Sequence, residues 1–260
     1  MGRVLDGEAP VRRYWLVDSI FENQTVTIQG DEFHHIMHVC RQDVGSKFEV
    51  LADGKAYLVE VTSVAKKSAE ARVLEERVIP DLPRPHLHLC LSVSRFPVME
   101  AVIEKCVELG VKSVRPFFSE FSFVGASSGV PDNKWERWRR IITMATQQCG
   151  RGELMELHPA VPLQKMLPEI NRSGAAWGLF AYEGSADQSL DRVLAARQPK
   201  AVEDVYIFVG SEGGFSQREV EELFVPAGLP PVTMGAQVLR VETACVALVS
   251  VLKYELGLMV

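Results

Sequence analysis

Two glycine-bearing loops near the end of the chain constrain the fold more than any other feature. The first reads Val205-Tyr206-Ile207-Phe208-Val209-Gly210-Ser211-Glu212-Gly213-Gly214-Phe215-Ser216, and the second Val232-Thr233-Met234-Gly235-Ala236-Gln237-Val238-Leu239-Arg240-Val241-Glu242-Thr243-Ala244. Each sits between a β-rich run and a helical pattern. Glycine lets the backbone turn sharply and approach a ligand closely, because no Cβ intervenes. Two such turns at strand ends of an α/β sheet mark the place where a nucleotide-like ligand settles. The first loop is neither G-x-G-x-x-G nor G-x-x-x-x-G-K-[ST], so the dinucleotide and P-loop readings lose their support. It still brings free backbone N–H groups and a helix N-terminus beside a glycine pair. Taken alone, it reads equally well as a tight βα turn with no ligand.

Upstream the rhythm differs. Tyr14–Val17, Val26–Ile28, Lys47–Leu51, Tyr57–Val64 and Ala69–Leu74 are short β-rich runs, and Asp53-Gly54 is a hairpin signal between two of them. A helix over Glu32–Val39, capped by Asp31, interrupts them. This pattern predicts a small β-barrel. Three prolines in Pro80-Asp81-Leu82-Pro83-Arg84-Pro85 break regular structure and set the domain boundary, giving domains 1–80 and 81–260. Beyond it, strands at 87–93, 114–118, 175–181, 205–209 and 232–234 alternate with helices at 97–109, 135–148, 190–196 and 244–256. That alternation predicts an α/β domain with a mostly parallel sheet and helices on both faces. In the first of these helices Val98, Val102, Cys106 and Leu109 form an apolar stripe, with Pro97 at its start and Gly110 at its stop. Asp132 is the expected cap of the second. Ser216 and Glu219 form a capping box after the first glycine loop. The last helix is apolar on most of its circumference, which predicts burial within the domain or against a second copy of the chain.

The net charge of −6 leaves no global field favouring nucleic acid, so any such binding must use local clusters such as Arg12-Arg13 and Lys66-Lys67. The five cysteines are scattered, without a C-x-x-C pair, which fits reduced thiols in a cytoplasmic protein. No signal-peptide or myristoylation pattern is present, and the longest apolar run, Ala244–Leu252, is too short to cross a bilayer. His34 and His38 share a helix face, but with no third ligand in reach of the pattern, no metal site is expected. No nucleophile elbow occurs.

The chain resembles the RsmE family, S-adenosylmethionine-dependent methyltransferases of the SPOUT superfamily that modify N3 of a uridine in small-subunit (16S) ribosomal RNA. The resemblance runs through His34-His35, Val39-Cys40-Arg41, Lys66-Lys67-Ser68, Glu104 to Val111, Gln148-Cys149-Gly150-Arg151 and both glycine loops. It implies a PUA-like RNA-binding barrel at the N-terminus, a deep trefoil knot in the C-terminal sheet and a homodimer. It further implies that the glycine loops hold the cofactor through Phe208, Val209, Gly210, Glu212, Gly213, Gly214, Met234, Gly235, Leu239, Arg240, Thr243 and Ala244. Within that frame Phe208, Met234 and Leu239 would sandwich the adenine. Arg240 would stabilise the anion left when uridine N3 loses its proton, or hold a phosphate, and Glu242 would orient Arg240 or the cofactor. Arg12, Arg13, Arg41, Lys66, Lys67 and Arg151 would meet RNA, mostly at phosphates. Six positions depart from the family pattern. Cys40 replaces leucine, Ser211 replaces proline and Val241 replaces threonine. Val98 replaces lysine, Phe121 replaces arginine and Gln147 replaces glutamate, and each of these three removes a charge. The same architecture therefore also admits a paralogue acting on a different RNA, or an RNA-binding module without catalysis.

Overall fold

The computed structural model describes residues 11–16, 20–22, 24–170, 176–183, 189–197 and 202–259. Val17 and Ala175, expected at strand ends, lie outside these residues. The chain forms two compact units. One comprises Met1–Asp81 together with Thr143–Leu154, and the other comprises Leu82–Ile142 with Met155–Val260.

The first unit is built on a six-stranded sheet of β1 (Arg13–Trp15), β2 (Ile20–Glu22), β3 (Thr25–Gln29), β4 (Lys47–Ala52), β5 (Lys55–Val64) and β6 (Ser68–Val78), in the order β1-β4-β5-β6-β3-β2. Only the β1–β4 pair is parallel. Asp53 and Gly54 turn β4 into β5 with φ of 49° and 72°, the double left-handed turn that matches the twist of a two-residue hairpin. On β6, Ala69 and Ala71 face the core while Glu70 and Arg72 face outward, a two-residue period. Register shifts at Leu58/Val59 and Val61/Ser63 explain why β5 alternates only in part, since each bulge moves one side chain to the other face. Tyr14, Val26, Ile28, Phe48, Val50, Val59 and Val61 form the core with Phe33 and Ile36. The expected 32–39 helix differs from expectation. An α-turn, α1 (Gly30–Phe33), opens into a π-helical turn over His34–Val39. Asp31 lies inside the first turn, and the N-cap position is Gln29, which makes no side-chain cap bond.

The second unit carries an all-parallel sheet of β7 (His86–Ser92), β8 (Ser113–Phe118), β9 (Glu156–Leu157), β10 (Val161–Pro162), β11 (Ala176–Ala181), β12 (Asp204–Val209) and β13 (Pro231–Val232). The order is β10-β8-β7-β12-β11-β13, with β9 also on β8. The helices from here on are α2 (Phe96–Glu108), α3 (Asp132–Cys149), whose residues from Thr143 belong to the first unit, α4 (Leu163–Ile170), α5 (Leu190–Arg197), α6 (Gln217–Glu219) and α7 (Val241–Glu255). The buried stripe of α2 is Met99, Val102, Ile103, Cys106 and Val107. Val98 and Leu109 lie at its margin, because the helix presents its 3.6-residue period one position later than expected. Gly110 ends the helix at φ 70°. Unforeseen was α4, whose Leu163, Met166, Leu167 and Ile170 are buried at helical spacing despite an internal Pro168. β12 is covered on both faces, and α7 packs against it and α2 through Cys245, Leu248, Val249 and Leu252. All five cysteines are free thiols.

Candidate functional site

The carboxyl ends of β11, β12 and β13 open into one cleft of about 700 Å3, solvent at its mouth included. Ala181, Tyr182 and Glu183 line it after β11, and Val209, Gly210, Ser211, Gly214 and Phe215 after β12. Val232 to Leu239 line it from β13 onward, and Val241 and Ala244 from the first turn of α7. Adjacent parallel strands that end together leave such a crevice because each chain turns away to its next helix.

The glycines of the first loop serve its own closure. A Cβ on Gly210 would stand 2.8 Å from the Gly214 backbone, and the Gly214 N–H donates to the Ser211 carbonyl at 2.9 Å. Gly214, at φ 68°, leaves room for the Glu183 carboxylate, which a Cβ there would meet at 2.7 Å. The capping box then anchors the loop. Ser216 accepts from the Glu219 N–H, and the buried Glu219 carboxylate accepts from the N–H groups of Ser216 (3.0 Å) and Glu120 (2.9 Å). Gly235, at φ 117°, would bring a Cβ no nearer than 3.9 Å to the Gln237 side chain, so its need is conformational.

The wall mixes apolar side chains with polar groups, and Glu183 is its one carboxylate among the described residues. Arg240 caps α7 without a side-chain cap bond, so the first-turn N–H groups keep their hydrogen-bonding capacity beside the cleft lined by Val241 and Ala244. Apolar walls can hold a purine, helix-terminal amides an anionic or hydroxyl group, and the carboxylate a cation.

Of the residues expected to hold a cofactor, Val209, Gly210, Gly214, Met234, Gly235, Leu239 and Ala244 line the cleft. The others do not. Phe208 is fully buried on the opposite face of β12, edge-to-face with Phe224 at 5.5 Å, because side chains alternate along a strand. Glu212 turns outward, and its carboxylate accepts from the Arg95 N–H at 3.1 Å. Gly213 packs against Phe121. Arg240 and Thr243 are exposed at the start of α7 and not part of the wall. No hydrogen bond or ion pair joins Arg240 to Glu242 among the described residues, so the expected orienting role of Glu242 has no contact behind it here.

The basic candidates divide in the same way. Arg12, Arg41, Lys66 and Lys67 are exposed. Arg13 is not available to a ligand. Its side chain is 10% exposed, its Nε donates to the buried Glu49 carboxylate at 2.7 Å, and its Nη1 donates to the Gln148 carbonyl. Arg151 is likewise buried and pairs with Glu153 at 3.4 Å. Lys66 and Lys67 join His34 and His38 along a separate groove in the first unit. No group of three metal-ligating side chains occurs among the described residues.

Tyr182, Glu183 and Val238 were missed by sequence reasoning. The signal was present, because a third parallel strand beside the two glycine-loop strands must end in the same crevice. Two departures from the family pattern touch each other: the Ser211 hydroxyl donates to the Phe121 carbonyl, and Gly213 lies against the Phe121 side chain.

An all-parallel α/β sheet with a cleft at its strand ends, preceded by a β-rich unit, defines a two-unit α/β protein with a candidate ligand site at the carboxyl end of its sheet. A family model described as an RNA methyltransferase domain matches residues 80–253, and one described as an RNA methyltransferase PUA domain matches residues 28–74. Ribosomal RNA small subunit methyltransferase E of Aquifex aeolicus is 30% identical over 231 residues, 88% of this chain and 94% of that protein. The Bacillus subtilis protein of the same name is 28% identical, covering 96% and 98%. Among solved structures, the Neisseria gonorrhoeae ribosomal RNA small subunit methyltransferase E bound to S-adenosyl methionine superposes with a TM-score of 0.79 at 26% identity, covering 94% of this chain and 97% of that one. A Legionella pneumophila structure in complex with the bound cofactor SAM gives 0.81 at 26% identity, covering 95% and 98%. The chain belongs to the ribosomal RNA small subunit methyltransferase E family of RNA methyltransferases.

Proposed function

We propose that this protein methylates N3 of a uridine in small-subunit (16S) ribosomal RNA, using S-adenosylmethionine bound in the cleft between β11, β12 and β13. The observation that carries the reading is the cleft itself: both glycine loops, read from sequence as one ligand site, line a single crevice with α7 at its floor. The lining suits the cofactor. Val209, Met234, Val238 and Leu239 offer apolar surface for the adenine, and backbone groups of Gly210, Ser211 and Gly214 and from Gly235 to Leu239 offer hydrogen bonds to its edges. Glu183 offers a partner for a cationic group, tucked where Gly214 leaves space. When bound, the cofactor supplies an electrophilic methyl group on a sulfonium.

The protein's part is position and field. Uridine N3 must lose its proton before it can act as a nucleophile. Exposed Arg240, at the head of α7 and unpaired among the described residues, is free to meet the resulting anion or a neighbouring phosphate. The target base must leave any stack to reach the cleft. Arg12, Arg41, Lys66 and Lys67 would hold the RNA at phosphates.

Several finer readings go with this one. The six-stranded sheet would be a PUA-like barrel within residues 1–80. β12 inserted between β7 and β11, with β13 added beyond β11, is a strand order that a trefoil knot in residues 81–260 would produce. The outer face of α7 leaves Val251 and Tyr254 exposed and Ala247 half-buried, which favours a homodimer through this helix. No helix among the described residues is long and apolar enough to cross a membrane, in keeping with a cytoplasmic enzyme that meets ribosomal RNA.

Transfer of a labelled methyl group to small ribosomal subunits, naked ribosomal RNA and transfer RNA tests the reading. Label in small-subunit RNA supports it. Label only in transfer RNA would indicate a paralogue with another substrate, as the loss of charge at Val98, Phe121 and Gln147 allows. Cofactor binding without any transfer would indicate an RNA-binding module that no longer catalyses.

A further inference from the structure

The groove in the first unit has a composition that the cofactor cleft lacks. It is lined by Gln29, Gly30, Phe33, His34, His38, Lys66 and Lys67, and holds no carboxylate among the described residues. Strand register creates it. Gln29 of β3 pairs with Ser68 of β6, so the chain leaving β3 enters α1 directly beside the β5–β6 turn. That turn, closed by Ala65 N–H donating to the Ser68 carbonyl at 2.8 Å, projects Lys66 and Lys67. The π-helical turn over His34–Val39 presents His34 and His38 on one side, both exposed, with ring centroids 5.4 Å apart and planes 56° apart. Buried Phe33 holds the His38 ring edge-to-face at 5.4 Å. Two fixed, exposed aromatic rings thus lie beside two lysines that make no ion pair among the described residues. On a chain of net charge −6 the charged side chains lining this groove are lysines, with Asp31 and Glu32 of α1 at its edge.

Resting on the reading above that the substrate is RNA, we propose that this groove binds a single-stranded RNA segment. Lys66 and Lys67 contact consecutive phosphates, and His34 and His38 serve as stacking surfaces for unpaired bases. Stacking requires bases free of a duplex, because paired bases already stack on one another. The lysines supply the salt-dependent, sequence-independent attraction. The whole groove lies within residues 29–67, inside the span matched by the PUA domain model.

The test uses the full-length protein and a fluorescently labelled mixed-sequence 12-nucleotide RNA, free or annealed to its complement. The single strand should bind more tightly than the duplex. His34→Ala/His38→Ala should weaken single-strand binding by roughly 30-fold or more, two stacked bases being lost, and leave the salt dependence unchanged. His34→Phe/His38→Phe should restore affinity, because phenyl rings stack without charge. Lys66→Ala/Lys67→Ala should weaken binding and lower the slope of log affinity against log salt by about 1.4. Equal or tighter binding of the duplex, unchanged affinity in the alanine variants, or failure of the phenylalanine variant to restore it would overturn the proposal. S-adenosylmethionine binding, measured in parallel, should stay at the wild-type value in all three variants. A protein that transfers methyl groups normally yet shows none of these RNA effects refutes the groove alone. One that shows them all yet transfers nothing leaves the groove standing and refutes the activity.

Discussion

At the scale of single residues, the same residue type is used in opposite ways. Adjacent Arg12 and Arg13 look alike in the sequence, but Arg12 is exposed while Arg13 is spent on Glu49. Burial raises the Glu49 carboxyl pKa, and hydrogen bonds from Arg13 and Arg77 more than offset this, so its net pKa lies below the ordinary range. Removing one partner of a buried pair strands the other. Arg13→Ala should therefore lower unfolding free energy by roughly 3–5 kcal/mol, read by urea denaturation, without the change in RNA salt dependence that a phosphate contact would give. His88 makes a pH-dependent contribution. Its ring is buried between Ser113 Oγ (2.7 Å) and Asp204 (3.0 Å) and stacked on Tyr206, and burial lowers its pKa although Asp204 opposes the shift. The folded state thus binds the proton less readily than the unfolded chain. The stability from neutral His88 is present above about pH 6.5 and is lost as pH falls below it. Thermal denaturation from pH 7.5 to 5 should show this loss, and His88→Gln should flatten it. At the active site, Arg240→Ala should reduce methyl transfer by roughly 100-fold or more while S-adenosylmethionine binding, read by calorimetry, changes little, since Arg240 lies outside the cleft wall.

At the scale of elements, local sequence rules were most legible where chemistry and backbone demand coincide. Asp53-Gly54 and the Ser216/Glu219 capping box both form as their residues require. Gly54 has nothing within 4 Å of the place a Cβ would occupy. Gly54→Ala should therefore cost only the left-handed backbone penalty, about 1–2 kcal/mol by denaturant titration. A larger loss would point to a contact absent from this structure. What the sequence concealed has physical causes. Pro168, a helix breaker in sequence terms, hid the buried stripe of α4, and the π-helical turn after Phe33 shifted the expected 32–39 helix because it does not follow a 3.6-residue period. Phe208 was assigned to the adenine wall within the family resemblance, but strand alternation turns it into the core. Glu183 was overlooked because its strand carries no glycine motif.

At the scale of the whole molecule, the cofactor site was more legible than the RNA-facing surface. A cleft at strand ends is written in contiguous loops, each of which carries several of its walls. The groove proposed to meet RNA is assembled from distant segments: Lys66 and Lys67 meet His34 and His38 only through the pairing of β3 with β6. The exposed apolar residues of α7 belong to this scale too. Tyr254→Glu with Val251→Glu should shift the protein toward monomer in sedimentation, whereas a chain already monomeric at micromolar concentration would remove the dimer reading. The central claim is the reaction itself. The most direct measurement is nucleoside mass spectrometry of small-subunit RNA after incubation with the protein and S-adenosylmethionine. N3-methyluridine at a single position, lost in the Arg240→Ala variant, is the predicted result. A methyl group on any other atom or base, or none with the cofactor demonstrably bound, would contradict the account.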